Sequence, residues 1–97
     1  MRIGVDRMSY RIALVCNGVS ESVGPGAARD ITEEFRTHYP HEKNVLCTYA
    51  RGKLMLVAEN DYDPDGSALM DEFSDNITAY IAEPFDGEIS VLSVDVL

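Results

Sequence analysis

Cysteine is nearly absent from this chain, with Cys16 and Cys47 the only two among 97 residues. Two thiols are too few for a disulfide scaffold, so the fold must rest on an apolar core, and both are expected to be reduced and buried in strands. Long apolar runs are missing too. No stretch approaches the ~20 residues that a membrane-spanning helix needs. The opening Met1-Arg-Ile-Gly-Val-Asp-Arg-Met8 lacks the apolar core of a secretory leader, and a cytoplasmic location is expected. Positive charge is scarce, with 8 Lys+Arg against 17 Asp+Glu and a net charge of −9. Such a surface repels phosphates and anionic lipid, which argues against nucleic acid and membrane as partners and favours a cationic one.

What is present is ordinary for a folded domain, since 45% of residues are hydrophobic and 26% charged. Met8-Ser-Tyr opens directly into the first β-like run. Residues 1–8 therefore read as a loose N-terminal leader, with Met8 an alternative natural start, and residues 9–97 as a single α+β domain. Strands are predicted at Tyr10–Cys16, Val45–Ala50, Leu54–Glu59 and Ile89–Val96, and helices at Ala27–Tyr39 and Ser67–Ala82. That order, βαββαβ, is the split βαβ or ferredoxin-like unit, a four-stranded antiparallel sheet of order 4-1-3-2 with two helices on one face.

The first and third strands are apolar on both faces, which suits the central positions of that sheet. Their outward residues would be either Ala13, Val15, Met55 and Val57 or Ile12, Leu14, Leu54 and Leu56. Either set is too apolar to stay fully exposed, and a homodimer through the open sheet face is expected. Arg51-Gly52-Lys53 supplies a short hairpin connection. The first helix sets Ala28, Ile31, Phe35 and Tyr39 on one stripe after Gly24-Pro25-Gly26. The second sets Leu69, Phe73, Ile77, Tyr80 and Ile81 inward.

Asp61-Tyr-Asp63-Pro-Asp65-Gly66-Ser-Ala-Leu-Met-Asp-Glu72 satisfies the calcium-loop pattern D-x-[DN]-x-[DN]-G-x5-E and over these twelve residues resembles an EF-hand loop. The resemblance implies carboxylate ligands from Asp61, Asp63 and Asp65, a carbonyl from Ser67, a bidentate Glu72 and a sharp turn at Gly66. Against it, the preceding run reads as a strand instead of a helix, and Leu69 is needed by the apolar stripe. The competing reading is a solvated turn whose carboxylates cap the second helix.

Asn17-Gly-Val-Ser-Glu-Ser-Val-Gly-Pro-Gly26 is a second candidate, because glycines and hydroxyls before a helix can offer N–H groups to an anion. Asn17, Gly18, Ser20, Ser22, Gly24 and Gly26 would line such a ligand loop. Pro25-Gly26 at the helix start is similar to the same place in ACT-type amino-acid-sensing domains, which share the βαββαβ order. The resemblance implies a small-ligand-sensing regulatory domain. His38, His41 and Cys47 do not complete a zinc spacing. His38 is expected to serve the last carbonyls of the first helix, and Cys47 the core. No catalytic constellation stands out, no cofactor is expected, and the reading leans away from an enzyme.

Asp30, Glu33 and Glu34 on the first helix and Asp71, Glu72 and Asp75 on the second are all expected outside the apolar stripes, forming one negative surface. The leading functional expectation is thus a small acidic interaction domain that binds a basic protein through these six residues, in the manner of an inhibitor or immunity-type neutraliser. A small-ligand sensor and a weak calcium-binding module at 61–72 stand as alternatives.

Overall fold

Six elements follow one another in the expected order: β1 (Tyr10–Cys16), α1 (Gly24–His38), β2 (Lys43–Ala50), β3 (Lys53–Asn60), α2 (Ser67–Tyr80) and β4 (Ile89–Val96). The structure is a computed structural model that describes residues 8–81 and 87–97. Of the expected leader only Met8 falls among these, and it is exposed; residues 1–7 lie outside the described residues. The strands form one sheet of order β2-β3-β1-β4, every neighbouring pair antiparallel. Read from the other edge, this is the order 4-1-3-2.

Alternation along the central strands divides the sheet into two faces. Ile12, Leu14 and Cys16 of β1 and Leu54, Leu56 and Ala58 of β3 are fully buried and share one core with Ile31 and Phe35 of α1 and Leu69, Phe73 and Ile77 of α2. Both helices therefore cover the same face. The outward set is Ala13, Val15, Met55 and Val57, joined from β2 by Leu46, which pairs with Val57. Val15 is buried, but Met55 and Leu46 are 38% and 49% exposed.

The element ends differ from expectation for local reasons. α1 starts at Gly24 instead of Ala27, because Pro25 near a helix start fixes a helical φ and sacrifices an N–H that has no partner there anyway. Gly24 and Gly26 consequently belong to the helix and not to the loop before it. A side chain at Gly24 would overlap the Tyr49 ring. β2 begins at Lys43, two residues early, through an irregular register between Lys43 and Leu46 in which Asn44 takes φ 51°. α2 ends at Tyr80, whose side chain is 38% exposed where an inward position was expected; Ala82 lies outside the described residues. The β2–β3 hairpin turns on two residues, Arg51 (φ 51°) and Gly52 (φ 82°), the pair of positive φ values that a type I′ turn requires.

The two sheet edges are treated differently. On β2, Thr32 Oγ1 accepts from the Cys47 N–H at 2.9 Å, and the Arg36 guanidinium donates to the Val45 carbonyl at 3.0 and 3.2 Å. Side chains of α1 thereby occupy groups that another strand would need. β4, with Val91, Leu92 and Val96 exposed, has no such cover among the described residues.

Candidate functional site

α2 is launched by the acidic turn before it. Gly66 takes φ 78°, which strains any other residue, and a Cβ there would crowd the Ile12 side chain at 3.1 Å. Asp63 is buried, and its two carboxylate oxygens accept from the N–H groups of Ala68 (3.2 Å) and Leu69 (3.0 Å). Asp65 accepts from the Ser67 N–H at 3.1 Å. These are helix-capping bonds that satisfy first-turn donors. Of the residues in the calcium pattern, Asp61 and Ser67 are exposed, Asp63 points into the helix start, and Glu72 is turned toward His41. The run before the loop is strand β3.

Glu72 corrects the sequence reading. Expected in an outward acidic row, it is instead half-buried, with its Oε2 2.7 Å from His41 Nε2. The reason is tertiary: this side of α2 lies against the turn after α1. One helical turn on, Asn76 Nδ2 donates to the Tyr39 hydroxyl at 3.2 Å. In that turn Glu42, whose side chain is wholly buried, accepts from Asn60 Nδ2 on Oε1 (2.8 Å) and from the Tyr62 hydroxyl on Oε2 (2.7 Å). Its Oε2 also stands 3.7 Å from His41 Nε2. The His41 ring lies between those of Tyr39 and Tyr62, centroids 5.9 and 5.8 Å away.

Two carboxylates thus share one imidazole in a partly dry site. Glu72 Oε1 is buried without a hydrogen-bond partner. Burial pushes the Glu72 carboxyl up to about 7, with Glu42 adding to the rise and His41 opposing it. Tyr62 is held well above its ordinary range by burial and by its bond to Glu42, so it remains a donor. His41 is 46% exposed and opens the cluster to a surface depression of about 490 Å³ that Lys43, Asn60 and Asp61 also line.

Asp30, Glu33, Asp71 and Asp75 are exposed. Glu34 is partly covered, accepting from the Tyr80 hydroxyl at 3.0 Å and lying 3.1 Å from His38 Nδ1. His38 therefore pairs with a carboxylate one turn back and not with the helix carbonyls. The Tyr80 contact ties the acidic row of α1 to the end of α2, and it raises the Tyr80 hydroxyl pKa.

In the loop after β1, several donors are already used within the fold. The N–H groups of Asn17, Val19, Val23 and Gly24 bond to the carbonyls of Glu88, Gly52, Ser20 and Ser20. The Ser20 and Ser22 hydroxyls lie 2.9 Å apart, and the Tyr49 hydroxyl pins the Val19 carbonyl at 2.6 Å. Cys16 and Cys47 are free and buried. Burial pushes the Cys47 thiol up to about 12, far from a reactive thiolate.

No family model, curated protein or solved structure matches the chain. The site must be read from its own chemistry. Sequence reasoning passed over Glu42, Asn60 and Tyr62. The available signal was the His41-Glu42 pair between helix and strand, where an acidic residue outside any amphipathic pattern has no surface to decorate by default. No helix among the described residues is long and apolar enough to cross a membrane.

Proposed function

We propose that the chain is a small acidic interaction domain that binds a basic protein through its helical face, in the manner of an inhibitor or neutraliser. The observation that carries the reading is the joining of the two acidic helix surfaces, with Asp30, Glu33, Asp71 and Asp75 exposed and Glu34 held to Tyr80 across the helix pair. The net charge of −9 adds a long-range field of the same sign. Glu72 is withdrawn from this surface by His41. Charges so placed chiefly accelerate encounter, and they act over screening lengths of about 8–10 Å at physiological salt.

The test is association kinetics with a partner cross-linked to the full chain and then purified. A basic partner is expected, with an association rate that falls as salt rises. Glu33→Lys, Glu34→Lys and Asp75→Lys together should slow association about tenfold or more and alter dissociation far less. Salt-independent association, unchanged in the triple variant, would remove the helical face from the account.

The opposite side of the molecule supports a second copy as its occupant. There Arg11 neutralises Glu59 at 3.0 Å, and Asn44 donates to the other oxygen of Glu59 at 2.9 Å, while Leu46 and Met55 remain exposed. Those two contacts hold the Glu59 carboxyl below its usual range. Repulsion between two acidic chains is least where the acids are on the far side. A homodimer through this face is expected by light scattering, reverting to monomer in Leu46→Lys/Met55→Lys; a monomeric mass for the native chain at high concentration would refute it.

A further inference from the structure

Among the described residues, His41, Glu42 and Glu72 are the one set of three His, Cys, Asp or Glu side chains whose ligand atoms all lie within 4.8 Å of one another. Donor atoms about 2.1 Å from a tetrahedral ion stand about 3.4 Å apart. The separations found, 2.7 Å from His41 Nε2 to Glu72 Oε2 and 3.7 Å to Glu42 Oε2, bracket that value. To admit an ion, His41, half-exposed on a short turn, has to draw back from Glu72 by about 0.7 Å.

Three further features point to a cation. Glu72 Oε1 is buried with no hydrogen-bond partner, a group that costs free energy unless a proton or a cation meets it. Two acidic groups face a single imidazole. Glu42, wholly buried, is oriented by donors on both oxygens, Asn60 and Tyr62, which is how outer groups fix a ligating carboxylate. His41 is half-exposed and lines a surface depression, so its imidazole can be reached from solvent.

We propose that His41, Glu42 and Glu72 bind one divalent transition-metal ion, and that zinc is the ion their one-nitrogen, two-oxygen donor set suits. Imidazole directs the choice away from Ca²⁺ and Mg²⁺, which take oxygen ligands in larger numbers. The set is distinct from the 61–72 pattern, with which it shares only Glu72. It is independent of the acidic helical surface, so either proposal can fail alone.

The experiment is a Zn²⁺ titration of the chelator-stripped full chain, read by calorimetry and by the imidazole proton resonances. The chain has two histidines, and His38, paired with Glu34, is the internal control. One ion per chain is expected, shifting or broadening the His41 resonance while His38 stays in place. His41→Gln and Glu72→Gln should each weaken binding by more than about tenfold, and Tyr62→Phe by about tenfold through its loss from behind Glu42. His41→Gln changes a half-exposed side chain and keeps the fold testable if Glu72→Gln does not. Absence of saturable binding, equal response of both histidines, or full affinity in His41→Gln would overturn the proposal.

Discussion

Replacing Asp63 with alanine is expected to lower folding stability by about 2–3 kcal/mol, because a buried carboxylate that accepts two helix N–H bonds is lost. The Ala68 and Leu69 N–H groups lie in the first turn of α2, where the helix itself offers them no acceptor. Leu69 is itself fully buried, so its freed N–H has no access to water. Asp63→Asn keeps an acceptor oxygen and should cost less, about 1 kcal/mol. Urea denaturation of the three proteins, with calcium and with chelator, is the measurement. The losses should be the same in both conditions, since Asp63 serves the helix and Glu72 serves His41. A calcium-dependent stabilisation of the native chain that Asp63→Ala abolishes would instead restore a calcium role to the 61–72 turn.

Raising the pH should destabilise the metal-stripped chain across the interval in which Glu72 titrates. Its ordinary value is 4.5 and its folded value about 7, so between these the folded chain holds a proton that the unfolded chain releases. This contribution is complete below about 4.5 and is lost as pH rises through about 7. Its size is on the order of 2 kcal/mol. Glu72→Gln removes the charge while keeping the shape. It should leave stability little altered near pH 5 and raise it by about 1–2 kcal/mol at pH 8, measured by thermal unfolding in chelator. A native chain and a Glu72→Gln variant with parallel stability profiles would show that Glu72 ionises without cost.

Much of the architecture was legible because it rests on short-range patterns. β1 and β4 have the limits that alternation and β-branched residues suggest, and the apolar rows Ile31–Phe35 and Leu69–Phe73–Ile77 are the buried rows of α1 and α2. Gly66 at a positive φ and Gly52 in a two-residue hairpin follow from what glycine alone does cheaply. The helix start at Gly24 was less legible, since Gly-Pro-Gly reads as punctuation until the Tyr49 ring is placed against it.

The cluster around His41 was not legible, because its members come from four places. His41 and Glu42 sit in a turn without periodicity, Asn60 ends β3, Tyr62 follows it, and Glu72 lies beside the apolar stripe of α2 where a polar residue reads as solvent-facing. His41 and Glu72 are 31 residues apart, and only the packing of α2 beside the turn after α1 gives them contact.

By itself, then, the sequence determined the order of elements, the central places of β1 and β3, the buried rows of both helices and a negative exterior, because hydrophobic periodicity and net charge are properties of neighbouring residues and of sums. Tertiary structure decided which parity of the sheet faces outward, which sheet edge α1 seals, and that Glu72 leaves the acidic surface to join Glu42 and His41. Those outcomes depend on where one element lies against another, and a carboxylate's protonation and partners are set by the dielectric and charges that such packing brings to it.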